Sequence, residues 1–129
     1  MPLTATPIYA GLAALLFVAL SVRVILTRRA ERISVGDGAN KAMIKAMRTQ
    51  ANCAEYAPLS ILLLALVELQ GAPVWAVHLL GLMFIAGRFL HGYGFGRTPQ
   101  IVPLRQLGML LTFAMLILSG AGLLLHGLF

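Results

Sequence analysis

Long apolar runs alternate with short polar breaks along this chain, and the runs are of membrane-crossing length. Ile8 to Leu26 is apolar except for Ser21 and Arg23. At about 1.5 Å per helical residue, that run approaches the roughly 30 Å of a hydrocarbon core. Residues 27–40 are polar; Gly36-Asp37-Gly38 signals a turn, and Asn40 suits the N-cap of a helix beginning at Lys41. The second span is expected from Lys41 to Leu69. Its first half carries Lys41, Lys45, Arg48, Asn52 and Glu55, spaced by four or three and so confined to one helical face. Residues 59–67 are almost wholly apolar, so this helix enters lipid with its polar groups gathered at one end. Pro58 lies at the changeover and is expected to free the Ala54 carbonyl and bend the helix there.

Gln70-Gly71-Ala72-Pro73 predicts a tight break, with Pro73 fitting the first turn of a third span over Val74 to Gly92. That span holds His78 near one end, and Arg88 and His91 on one face near the other. The stretch from Gly92 to Pro103 is rich enough in Gly and Pro to predict a loop containing Tyr93. A fourth span is expected after Arg105, with an apolar run from Leu107 to Leu125 interrupted only by Thr112 and Ser119. The pattern predicts an all-α membrane protein, a bundle of four transmembrane helices forming one domain over residues 1–129. A cleaved leader is not expected, because residues 1–7 carry no charge and the first apolar run ends at Arg28-Arg29.

Composition agrees: 60% of the 129 residues are hydrophobic and 11% charged, far from soluble globular usage. The formal charge of +6 does not imply nucleic acid, because the basic residues cluster by topology. The 27–40 and 93–104 loops and the span ends beside them hold every Lys and Arg, whereas the 70–73 loop and both termini hold none. By the positive-inside rule the two basic loops face the cytoplasm, and both termini face outward. The single cysteine, Cys53, excludes an intrachain disulfide and any multi-cysteine metal centre. It adjoins Asn52, points away from the polar stripe and reads as a packing residue. No second His or carboxylate stands at ligand spacing from His91, so no metal is expected.

Ionisable residues within a span are costly in lipid and turn to the bundle interior, paired. Arg48, Asn52, Glu55, Arg88, His91 and Arg105 would meet at a common depth on the cytoplasmic side, offering several cations, one carboxylate and one amide. Such a set suits a small zwitterion or anion. The competing structural reading is a Glu55–Arg88 bridge between the second and third helices, with the lysines meeting lipid headgroups. Arg23, one turn from the end of its span, is read equally well as an anchor whose guanidinium reaches the interface.

The ordered set Arg48-x3-Asn52-x2-Glu55-Tyr56-x-Pro58, then Gly87-Arg88-x2-His91, then Leu104-Arg105 resembles the MAPEG family, the membrane-associated proteins in eicosanoid and glutathione metabolism. The similarity spans nearly the whole chain and is greatest to the small bacterial branch, where a Gly-Asp-Gly turn and His-x-Tyr-Gly-Phe also occur. The resemblance implies a homotrimer holding glutathione, as co-substrate, between neighbouring subunits in a cytoplasm-facing pocket. By position, Arg48 would bind a glutathione carboxylate, Asn52 its backbone and Glu55 its amino group. Arg88 and His91 match third-helix site residues, and Arg105 matches the arginine that stabilises the thiolate, with Tyr93 the alternative. Arg23 or Arg28 would reach the site from a neighbour's first helix.

Two departures shape the expected chemistry. Ala51 stands where the eicosanoid branch has a second arginine, and Phe95 where it has a tyrosine, so leukotriene or prostaglandin synthesis is not implied. The expectation is a glutathione transferase acting on a hydrophobic electrophile that enters from the membrane lipid, or a peroxidase reducing a lipid hydroperoxide. A thiol of pKa about 8.5 is mostly protonated at neutral pH, and nearby cations together with a helix N-terminus favour its anion. Two other classes compete: a non-catalytic structural or regulatory membrane protein that keeps the pocket, and a small multidrug transporter. The transporter class carries a carboxylate in the first span, and none lies between Met1 and Leu26.

Overall fold

The computed structural model describes residues 2–129. Its four helices are α1 (Thr6–Glu31), α2 (Lys41–Leu69), α3 (Val74–Gly96) and α4 (Val102–Leu128), each long and apolar enough to cross a membrane. No strand occurs among the described residues. The protein is an all-α integral membrane bundle. Large apolar side chains such as Leu15, Ile117 and Leu124 lie on its outside, as expected where the surrounding solvent is lipid.

The central pair is α2 and α3. α1 packs on both, α4 packs on both, and among the described residues the α1 and α4 backbones make no close approach. Leu64, Phe84 and Met115, from α2, α3 and α4, are fully buried in the core that Tyr9 joins from α1. Small residues set the α3–α4 approach. A Cβ on Gly108 would lie 2.5 Å from the His91 backbone nitrogen, and one on Gly94 would lie 2.6 Å from the Arg105 nitrogen. These contacts bring the two backbones together, which is how helices gain packing energy in lipid, where no hydrophobic drive acts between them.

Local chemistry explains the helix ends. The Asn40 side chain accepts from Met43 N at 2.9 Å and caps α2 as expected. Gly36 and Gly38 take positive φ, 70° and 59°, in the turn before it. α1 runs past the apolar stretch through Arg28 and Arg29 and stops where Arg32 adopts a left-handed conformation, φ 55°. Arginine is a good helix former and suits a helix C-terminus, so loss of apolarity did not end the helix.

Two boundaries differ from the sequence reading. α3 continues to Gly96, so Tyr93 sits on a helical turn and not in a loop. Each helical glycine costs only about 1 kcal/mol, and here packing supplies it: Gly94 abuts the start of α4, its carbonyl accepts from Ile101 N at 2.8 Å, and Arg23 Nη2 donates to the Gly96 carbonyl at 2.6 Å. α4 begins at Val102 with Pro103 in its first turn, which places Arg105 inside that turn and not ahead of the helix. Pro58 lies within an uninterrupted α2.

At the end away from the basic loops, one carboxylate ties α2 to α1. Glu68 Oε1 accepts from Thr4 N at 2.7 Å, Thr4 Oγ1 at 3.0 Å and Ala5 N at 2.8 Å. Glu68 Oε2 accepts from Thr6 N at 2.8 Å and Thr6 Oγ1 at 2.6 Å. The free N–H groups of α1 are therefore capped by a residue more than sixty positions away. The Tyr9 hydroxyl, 2.8 Å from His78 Nδ1, ties α1 to α3 nearby.

Candidate functional site

The basic end of the bundle gathers the C-terminal ends of α1 and α3 and the N-terminal ends of α2 and α4. Contacts across it fix this arrangement. Lys45 Nζ donates to the Arg97 carbonyl at 2.7 Å, Arg23 reaches Gly96, and Asn40 Nδ2 donates to Glu31 at 2.9 Å.

Arg88 is the centre. It is 2% exposed, and its guanidinium is satisfied entirely by neutral groups from α2 and α4. Nη1 donates to Asn52 Oδ1 at 2.5 Å and to the Asn52 carbonyl at 3.3 Å. Nε and Nη2 donate to Thr112 Oγ1 at 3.2 and 2.8 Å, and Nη2 also meets Met109 Sδ at 3.4 Å. The Tyr56 ring lies 5.4 Å from the guanidinium carbon and packs edge-on against Phe113 of α4. The Thr112 hydroxyl passes its own proton to the Gly108 carbonyl at 2.9 Å, leaving its oxygen free to accept. Three helices are thus tied through one permanent cation that has no carboxylate beside it.

The Glu55–Arg88 bridge is therefore not formed. Glu55 instead faces Arg48 on the outer flank of α2 at 3.5 Å, with side chains 53% and 56% exposed. The spacing of seven residues that aligned them on one face also turned that face away from Arg88. Asn52 stands at the margin between flank and core. A guanidinium only donates, so the amide oxygen must face Arg88 and Nδ2 must face away; Nδ2 has no partner among the described residues.

A stack joins α3 to the head of α4. The buried His91 ring lies against Phe95 at 5.6 Å, and the Arg105 guanidinium carbon sits 4.8 Å from the Phe95 centroid. Arg105 Nη1 donates to Gln100 Oε1 at 3.1 Å. Arg105 also borders an open groove of about 570 Å³ that continues past Gln106 to the apolar side chains of Met109, Leu110 and Phe113. The groove has a cationic mouth and an apolar floor. Met109 belongs to both the groove and the Arg88 shell.

The remaining candidates lie apart from this centre. The exposed Tyr93 hydroxyl accepts from Arg97 Nη1 at 2.6 Å. Arg23 is spent on the α3 C-terminus, and Arg28 Nη1 on the Gly36 carbonyl at 2.7 Å. Cys53, His78 and Tyr9 lie in packing positions. The sequence reading missed Thr112 and Met109. The one available signal was a hydroxyl in an apolar run, four residues after a glycine: Gly108-x3-Thr112.

Comparison with known proteins places this architecture. The model of the MAPEG family matches residues 6–125. The inner membrane protein YecN of Escherichia coli strain K12 is 37% identical over 111 residues, covering 86% of this chain and 83% of that protein. YecN of Escherichia coli O6:H1 matches to the same extent, 37% over 111 residues. With a match running through all four membrane helices and the Arg88 centre between them, the chain belongs to the MAPEG family.

Proposed function

We propose that the protein is a glutathione-binding membrane enzyme of the glutathione transferase type, set in a bacterial inner membrane with its site on the cytoplasmic side and both termini periplasmic. The observation that carries this reading is the polarity imposed around Asn52. Arg88 takes the amide oxygen, which leaves Nδ2 as a donor beside the outward-facing Arg48–Glu55 pair. A cation, an amide donor and an anion along one helical flank match a zwitterionic peptide. Arg48 takes a carboxylate, Asn52 a backbone carbonyl, and Glu55 the ammonium.

Arg105 takes the thiolate. It combines a permanent charge with the N-terminal turn of α4, and its seat on Phe95 holds the guanidinium at the mouth of the apolar groove. His91 supports that seat from within the bundle. The thiol proton passes to water. The sulfur then forms a bond to an electrophilic carbon lying on the Met109–Phe113 floor, and the leaving group departs with its electron pair. Arg48, Glu55 and Arg105 are all exposed in a single copy, and charges gain strength only where water is excluded. A neighbouring copy supplies the missing wall, and the family resemblance makes the working unit a homotrimer whose sites lie between subunits.

The test is conjugation of glutathione to a generic aromatic electrophile by the purified protein. The parent turns over, and Arg105→Leu loses most of the rate while keeping a glutathione-dependent thermal shift, since a ligand that binds only the folded state stabilises it. Absence of turnover in the parent, or an unaffected Arg105→Leu, would refute the assignment. Native mass spectrometry from detergent reads the trimer directly.

A further inference from the structure

We propose that Gln100 is a positioning residue for Arg105: its amide oxygen holds the guanidinium over Phe95, at the mouth of the groove, without neutralising the charge that a thiolate needs. The inference rests on the proposed role of Arg105 and adds the group that aims it. Arg105 Nη1 donates to Gln100 Oε1 at 3.1 Å, while the guanidinium carbon stands 4.8 Å from the Phe95 centroid. Two contacts from different segments thus hold one side chain, the ring from the last turn of α3 and the amide from the connection to α4. An unheld arginine would spread over many rotamers, and ordering it would oppose ligand binding. A guanidinium carries five N–H donors and no acceptor. The amide oxygen must therefore face it, and one bond to Gln100 leaves the other donors free for an anion.

The connection that carries Gln100 is itself fixed on both sides. Lys45 Nζ donates to the Arg97 carbonyl at 2.7 Å and to Thr98 Oγ1 at 3.4 Å. Ile101 N donates to the Gly94 carbonyl at 2.8 Å, and Arg105 N to the Ile101 carbonyl at 3.1 Å. The choice of an amide is what separates aiming from pairing. The chain has four acidic residues, and each is engaged elsewhere: Glu31 by Asn40, Asp37 by Ala39 N, Glu55 by Arg48 and Glu68 by the start of α1. Both arginines at the centre of the site are instead oriented by amide oxygens, Arg88 by Asn52 and Arg105 by Gln100. A carboxylate at either place would orient the guanidinium and also cancel its field. An amide orients it and leaves the charge whole, and at Arg105 that charge acts on sulfur.

The test is the pH titration of ultraviolet thiolate absorbance for the full chain in detergent, saturated with glutathione, with a glutathione-dependent thermal shift to confirm occupancy. Gln100→Glu keeps an oxygen on Arg105 but adds a negative charge, and it raises the bound thiol pKa by about one to two units, to nearly the free value. Gln100→Met keeps the length, loses the acceptor and raises it by about half a unit. Gln70→Glu makes the same charge change in the α2–α3 turn, at the opposite end of the bundle, and leaves the value unaltered. The proposal is overturned if Gln100→Glu or Gln100→Met titrates like the parent, or if Gln70→Glu raises the value as much. Gln100→Met adds no charge and decides the matter should Gln100→Glu hold no glutathione. Arg105→Leu separates this inference from the reading beneath it. A bound thiol that stays acidic in Arg105→Leu ends the role of Arg105 and this inference with it. Loss of the shift in Arg105→Leu, with both Gln100 variants like the parent, ends this inference alone.

Discussion

The strength of the Arg88 centre can be measured by removing one oxygen. Thr112→Val keeps the size and shape of the side chain but deletes the acceptor that Nε and Nη2 share, at 3.2 and 2.8 Å. An ordinary interhelical hydrogen bond in a membrane protein is worth about 0.6 kcal/mol. Bonds to a charged group are worth about 1.5–3 kcal/mol, and a buried donor left unpaired costs its desolvation as well. Arg88 is 2% exposed, so the charged value applies. Thr112→Val should therefore destabilise the bundle by about 3 kcal/mol. Thr112→Ser, which keeps the oxygen, should cost less than about 1 kcal/mol for the lost methyl. Arg88→Met removes the charge and all its donors together, so in that background the Thr112→Val cost should nearly vanish. Reversible unfolding in mixed detergent micelles, read by helical circular dichroism for the four combinations, provides the cycle. A Thr112→Val effect under about 0.6 kcal/mol, or an effect that persists in Arg88→Met, would refute the claim that this hydroxyl holds the guanidinium.

Other consequences are as specific. Asn52→Asp keeps an oxygen for Arg88 but deletes Nδ2, so the fold should hold in the same unfolding assay while the glutathione-dependent thermal shift falls. Glu68→Gln replaces a five-bond charged cap on Thr4, Ala5 and Thr6 with a neutral amide whose nitrogen faces donors, and should cost about 1–2 kcal/mol by micellar unfolding. Gly87→Ala brings a Cβ to 2.8 Å from the Gly108 carbonyl and should cost about 1–3 kcal/mol, whereas Gly120→Ala meets nothing within 4 Å and should be neutral or mildly stabilising.

The spans were legible because lipid makes hydropathy nearly sufficient: a helix must satisfy its own backbone, and apolar length sets its reach. The boundary at Gly92 was misread because glycine content reports conformational cost and says nothing of the helix packed against it. Gly94 is helical because the α4 backbone fills the space its side chain would occupy. Site membership followed the same division. Helical spacing put Arg48, Asn52 and Glu55 on one face, and they do share a flank. Spacing within one helix cannot say which neighbour that face meets, so the partner of Arg88 became Asn52 and not Glu55. Thr112 was invisible for a related reason. A threonine in an apolar run satisfies its own hydroxyl on the preceding turn, as it does here on Gly108, and only the arrival of α3 turns the oxygen into a ligand for Arg88.

The central claim is that Arg105, at the head of α4, stabilises the glutathione thiolate, and ultraviolet thiolate absorbance of bound glutathione titrated against pH tests it most directly. Each pKa unit corresponds to about 1.4 kcal/mol, and one guanidinium in a partly dry pocket should lower the bound thiol by about one to two units. The parent and Tyr93→Phe should both show the lowered value, because the Tyr93 hydroxyl is engaged with Arg97, and Arg105→Leu should return the thiol to nearly its free value. Loss of the shift in Tyr93→Phe and its survival in Arg105→Leu, with glutathione still bound in both, would contradict the account.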